Sequence, residues 1–215
     1  MAPRRPRDTS CTVVLVRHGR TATTGRILPG RAPGLHLSEA GIAQARSVAA
    51  RVATLPRAPS AVYASPLERA METAAPIAKA LHLRVRTAPG LLECDFGDWT
   101  GARLSALRRR PEWRTVLGAP STFRFPRGES FSEMQTRTWD AVLELGGRHP
   151  GEAIVAVSHA DPIKAVVATA LGVPLDLFQR TVVSTCSVSI VVVGAGSPIV
   201  LCVNALGDLA ELVAS

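Results

Sequence analysis

Four consecutive apolar positions, Val13-Val14-Leu15-Val16, run into Arg17-His18-Gly19. Aliphatic residues without polar alternation suit a strand covered on both faces, and in open α/β sheets ligands collect beyond the carboxyl ends of such strands. The pattern recurs at Ala153-Ile154-Val155-Ala156-Val157, which ends in Ser158-His159, and more briefly at Ala61-Val62-Tyr63-Ala64. Between these runs the spacing becomes helical. Ile42, Ala45, Val48, Ala49, Val52 and Leu55 recur at three and four residues, predicting a helix started by Ser38 and stopped by Pro56. A second helix is expected from Pro66 to about Leu81, with Ser65 as N-cap, Pro66 at the first helical position and a kink at Pro76. Leu83 to Thr87 alternates and reads as a half-exposed strand toward a sheet edge. Ser130 and Glu133 form a capping box, and Phe131, Met134, Thr138, Val142 and Leu145 supply the buried stripe of the helix it starts. Pro162 opens a further helix that closes near Gly172. Val188–Val193 and Ile199–Val203 read as a closing hairpin around Gly194-Ala195-Gly196-Ser197, whose Gly-x-Gly lies between strands and is therefore a turn and not a phosphate loop. Residues 91–128 hold only short helices and loops, a region suited to a lid or substrate wall.

Composition narrows the picture. A chain of 215 residues suits a single domain, expected over residues 11–215, which buries roughly 70% of its unfolded surface without staples. Residues 1–10, with Arg4, Arg5, Arg7 and two prolines and no periodicity, are expected to be a disordered basic tail. The formal charge of +8 invites a nucleic-acid partner, but Lys79 and Lys164 are the only lysines among 25 basic residues, which points to a coding bias toward arginine, and no aromatics interleave the basic stretches. Small anionic molecules are the better-matched partners, and the closing hairpin offers an apolar surface suited to a homodimer. No apolar run reaches the ~20 residues of a membrane helix and no secretory h-region opens the chain, so a soluble, cytoplasmic protein with no membrane partner is expected. Cys11, Cys94, Cys186 and Cys202 form no C-x-x-C pair and read as reduced thiols, a disulfide requiring Cβ atoms that meet in space.

Several motifs follow one another in a distinctive order: Arg17-His18-Gly19 with Thr21; Leu37-Ser38-Glu39-Ala40-Gly41; Ser65-Pro66-Leu67-Glu68-Arg69-Ala70 with Thr73-Ala74; Glu93 followed by Gly97, Trp99 and Gly101; and Ser158-His159. In this order they resemble the histidine phosphatase superfamily, the group that includes the cofactor-dependent phosphoglycerate mutases, over nearly the whole chain. The resemblance implies an α/β fold, a three-layer α/β/α sandwich with a mostly parallel central sheet. It also implies a phosphomonoesterase acting on a small phosphorylated metabolite through a phosphohistidine, with a phosphomutase of the same chemistry and a non-catalytic phosphate-binding module as the other readings.

Cleaving a phosphate monoester requires stabilising charge on three oxygens while a nucleophile enters in line and an alkoxide leaves. By resemblance His18 is the nucleophile, kept neutral by guanidinium charge from Arg17 and Arg69, whose forks match phosphoryl oxygens. By resemblance too, His159 donates to the phosphoryl group, with amides at the start of the following helix nearby, and Glu93 is the general acid. Asp95 and Asp98 are the competing acids for that last role. Neither a metal nor a cofactor is expected, because His18, His159, Glu93 and Asp161 lack close ligand spacing and two arginines would repel a cation. The chain departs from the family at Thr24, where the family usually has Asn, and at Ala160, where Gly usually follows the second histidine; both remain candidate substrate contacts. Arg103, Arg108, Arg109, Arg110, Arg124 and Arg127 are either a greeting surface for an acidic substrate or a solvated face.

Overall fold

The computed structural model describes residues 9–209, so all but the last two residues of the expected basic tail lie outside the described residues. Six strands, β1 (Cys11–Arg17), β2 (Ala61–Ala64), β3 (Val85–Thr87), β4 (Ala153–Ser158), β5 (Val188–Val193) and β6 (Ile199–Ala205), form one sheet in the order β3-β2-β4-β1-β5-β6. The first four pair in parallel, and the closing hairpin adds β5 antiparallel to β1 and β6 antiparallel to β5, so the sheet is mostly parallel as expected. Among the described residues six α-helices accompany it: α1 (Glu39–Ala53), α2 (Glu68–Ala80), α3 (Leu104–Leu107), α4 (Trp113–Gly118), α5 (Phe131–Gly147) and α6 (Ala160–Ala170).

The alternation of the pleat sorts the core into two layers. Val14, Val16, Val62, Val155 and Val157 face α1 and α2, while Val13, Leu15, Tyr63, Ile154 and Ala156 face α5 and α6. Helices therefore cover both faces, which is why β4 is buried along its whole length and reads as an unbroken apolar run. A third apolar cluster, with Phe96, Trp99, Phe125, Phe131 and Phe178, packs the segment over residues 94–125 against the start of α5 and against α6. These aromatics meet edge to face, as at Phe96–Phe125 and Phe125–Phe131, so the segment is anchored despite having little regular structure.

Several boundaries differ from the sequence expectation. Leu67, extended at φ −69° and ψ 140°, is the N-cap of α2, and the Ser65 hydroxyl is engaged elsewhere. The α6 helix starts at Ala160 with His159 as its N-cap, two residues before Pro162. Thr54 ends α1 before Pro56, whereas Ser38 caps it as expected by accepting from Gly41 N. The Ser130/Glu133 capping box is present, with both reciprocal hydrogen bonds. Pro76 sits inside α2, which runs on to Ala80. All four cysteines are free, three of them buried. Ile199, Leu201 and Val203 stand exposed on the edge strand β6. No helix among the described residues is long and apolar enough to cross a membrane.

Candidate active site

Register brings the two histidines together. Parallel pairing aligns Arg17 on β1 with Ser158 on β4, and Ala64 on β2 with Val157 on β4. The next residue of each strand emerges at the same edge: His18 N donates to Ser158 O (2.9 Å) and Ser65 N to Val157 O (2.9 Å). Three neighbouring strands thus present His18, His159 and Ser65 side by side. The imidazole centroids of His18 and His159 are 5.1 Å apart, and His159 Nε2 lies 2.8 Å from Ser65 Oγ. Arg69, in the first turn of α2, points its Nε at His18 Nε2 (3.3 Å) while its Nη2 donates to Gly30 O (2.8 Å).

Backbone contacts fix His18. Its Nδ1 donates to Gly19 O at 2.7 Å, which assigns the proton to Nδ1 and leaves a lone pair on Nε2, the atom facing Arg69. Gly19 N in turn donates to Thr73 Oγ1 (3.0 Å), and Thr73 donates to Arg69 O (2.7 Å), tying the residue after His18 to the turn that carries Arg69. Burial first, then the Arg69 and Arg17 charges as expected, lowers the His18 pKa to about 3. The His159 pKa is also well below its ordinary value, by burial first and then by His18, Arg69 and Arg17. Both rings are therefore neutral at neutral pH, so His159 adds no charge beside the arginines.

Buried polar groups normally find partners, yet Arg17 Nε, Arg69 Nη1 and His159 Nδ1 have none. They come from three elements, and each residue acts electrostatically on the same His18 or on one another. Arg17 is held by one bond from Nη1 to Val183 O (2.7 Å), with Nε left over. Arg69 and His159 are 0% exposed, so bulk solvent does not reach their unmatched atoms.

Glu93 joins this group from the loop after a 3₁₀ turn at Pro89–Leu91. It is 7% exposed, and its Oε1 accepts from Cys94 N (3.0 Å). Burial, then Asp161, raise its pKa to about 7, while Arg69 and Arg17 pull the other way, which places all four charged groups within electrostatic reach. Of the competing acids, Asp95 Oδ1 accepts from Gly97 N within its own turn, and Asp98 pairs with Arg127. Thr24 is turned to its own loop, accepting from Thr21 N (2.9 Å) and contacting Thr21 Oγ1 (3.0 Å), and no bond joins it to the histidine cluster. Ala160 is the first residue of α6 and half-buried. Of the middle arginines, Arg124 pairs with Glu133, Arg127 with Asp98, and Arg110 lies over the Trp99 ring. Arg103 and Arg108, with Arg26, instead line a groove of about 550 Å³ that has no acidic lining residue.

Four contributors escaped the sequence reading: Ser65 as partner of His159, and Arg31, Glu129 and Arg137 around the Glu93 loop. Arg137 carried a signal, since it falls three residues after Met134 and one before Thr138, half-buried beside the buried stripe of α5. A charge at that position needs a partner.

A model of the histidine phosphatase superfamily (branch 1) matches residues 13–206. An uncharacterized protein of Mycobacterium tuberculosis, Rv0525, is 40% identical over 154 residues, 70% of this chain and 74% of its own length. Phosphoserine phosphatase 1 of Hydrogenobacter thermophilus is 30% identical over 204 residues, 93% of this chain and 94% of its own. Among solved structures, mycobacterial glucosyl-3-phosphoglycerate phosphatase Rv2419c superposes with a TM-score of 0.80 at 26% identity, covering 91% of this chain and 99% of its own.

Proposed function

The chain belongs to the histidine phosphatase superfamily, branch 1, and from that premise we propose that it hydrolyses small phosphomonoesters, without a metal, through a phosphohistidine on His18. The observation that carries this reading is the set of unmatched buried atoms, Arg17 Nε, Arg69 Nη1 and His159 Nδ1, around an imidazole whose Nε2 is unprotonated. A phosphoryl group supplies the acceptors those atoms lack. The two guanidinium groups provide permanent charge for its oxygens. This reading assigns the His159 proton to Nδ1, free to donate, with Nε2 accepting from the Ser65 hydroxyl 2.8 Å away.

In the first step the His18 Nε2 lone pair forms a bond to phosphorus as the bond to the leaving oxygen breaks, and that oxygen takes the proton of neutral Glu93. In the second, the Glu93 carboxylate takes a proton from water as the water oxygen attacks phosphorus. The P–N bond breaks, its electron pair returns to Nε2, and inorganic phosphate leaves. A pKa of about 7 suits a group that must give a proton and then take one back. Two relatives, a phosphoserine phosphatase and a glucosyl-3-phosphoglycerate phosphatase, support a small phosphorylated metabolite as substrate.

The test is free-phosphate release from a panel of phosphorylated amino acids, glycerates, sugars and nucleotides, in EDTA and without a bisphosphate primer. Release by the wild type and its loss in His18→Ala are expected. Interconversion of phosphate isomers with no free phosphate would make the chain a mutase, and activity that vanishes in EDTA and returns with one divalent ion would overturn the metal-independent mechanism.

A further inference from the structure

Glu93 sits in a loop with no helix or strand to hold it, yet an acid that reaches a leaving oxygen must be placed to within a fraction of an ångström. Two guanidinium groups from distant parts of the chain grip its backbone. Arg31 Nε donates to Glu93 O at 2.8 Å. From α5, Arg137 donates to the carbonyls of Gly90 (2.8 Å), Leu92 (3.1 Å) and Glu93 (3.4 Å). Side by side these two cations would repel, and Glu129 lies between them: its carboxylate meets Arg137 Nε at 2.9 Å and Nη2 at 3.0 Å, and Arg31 Nη2 at 2.8 Å. Glu129 Oε2 also accepts from Asp95 N (3.0 Å), so the loop is held on both sides of Glu93. The three side chains are 29%, 23% and 18% exposed, which shields them more than surface pairs.

We propose that Arg31, Glu129 and Arg137 are positioning residues that set where the Glu93 carboxyl stands relative to the phosphoryl group. The coupling is short. Gly30 O accepts from Arg69 Nη2, and the next residue, Arg31, holds Glu93 O, so the arginine facing His18 and the acid are tied to adjacent residues of one loop. On the acid's side, Cys94 N donates to Glu93 Oε1, so moving the 93–94 backbone moves the carboxyl. None of the three residues needs to touch substrate. The proposal rests on the phosphohistidine reading, with Glu93 as the acid.

Leaving-group dependence tests it. A p-nitrophenolate leaves with little proton assistance, whereas an alkoxide needs the acid. Phosphoenzyme formation is followed by rapid quench for wild type, Arg31→Met and Glu129→Gln, over a series from p-nitrophenyl phosphate through phenyl phosphate to benzyl and alkyl phosphates. The expected result is a rate within about threefold of wild type for p-nitrophenyl phosphate and a loss of about tenfold or more for the alkyl esters, part of the roughly 10²–10⁴-fold that a placed acid contributes. Equal losses across the series would show general damage to the site, and no loss on alkyl esters would show that the clamp is dispensable; either overturns the proposal. If Glu129→Gln does not fold, Arg31→Met, whose site is partly open to solvent, decides alone. A wild type that forms no phosphoenzyme from any ester removes the reading beneath, and the proposal with it, which is distinct from a wild-type burst with flat variant ratios.

Discussion

An imidazole that attacks phosphorus must keep its lone pair, and a carboxylic acid that protonates an alkoxide must keep its proton. His18, with a pKa lowered to about 3, and Glu93, with one raised to about 7, meet both demands between those values. Above about pH 7 Glu93 ionises and the first step loses its proton donor, so kcat/KM of the free enzyme falls with rising pH; below about 3 protonation of His18 removes the nucleophile. The expected profile is therefore a plateau on the acid side of neutrality, read after correction for the ester's own second ionisation near pH ~6. A profile still rising above pH 8 would contradict it. Glu93→Gln should lower phosphoenzyme formation from alkyl phosphates by roughly 10²–10⁴-fold and from p-nitrophenyl phosphate far less. At this scale the gathering of Arg17, Arg69, His18, His159 and Glu93 was legible because motif order singles those residues out. Ser65 was misread because a serine before Pro66 fits an N-cap locally, and only the β2–β4 register reveals His159 as its partner. Arg31 and Glu129, 98 residues apart by number, meet only in three dimensions.

Elements place these groups by close approach as much as by hydrogen bonds. A Cβ on Gly41, in the first turn of α1, would lie 2.0 Å from Arg20 O, and one on Gly19 would lie 2.7 Å from Gly41 O. The helix and the loop leaving His18 thus pack backbone against backbone. Gly41→Ala should force them apart, costing about 1–3 kcal/mol in urea unfolding and lowering kcat by more than the loss of folded protein explains. Unchanged stability and turnover would show that the approach is not needed. Unbroken apolar runs identified β1, β2 and β4, which are buried on both faces, and helical period identified α1 and α5, each with one buried face. It placed the starts of α2 and α6 early and late, respectively, because Pro66 and Pro162 each mimic a first helical residue while Leu67 and His159 have the extended backbone of a cap. The segment over residues 94–125 had no readable period because its core is made by aromatics from short turns, packed on α5 and α6.

The whole molecule gathers its candidate site at one end of a mostly parallel sheet, where β1, β2 and β4 finish side by side. A tetrahedral oxyanion that satisfies Arg17, Arg69 and His159 should bind the folded chain alone, so inorganic phosphate or vanadate should raise Tm in a concentration-dependent way, and Arg69→Met should abolish the shift. The groove lined by Arg26, Arg103 and Arg108 borders the loop that leaves His18 and has no acid among its lining residues. Esters whose leaving group carries its own negative charge should therefore show a KM several-fold higher in Arg103→Ala/Arg108→Ala, with p-nitrophenyl phosphate unaffected. The most direct measurement is mass spectrometry of protein quenched in base during turnover of a phosphomonoester. The account predicts one added phosphoryl group on the peptide bearing His18, labile to acid and absent from His18→Ala. Turnover with His18 unmodified, or a phosphoryl group on any other side chain, would contradict it.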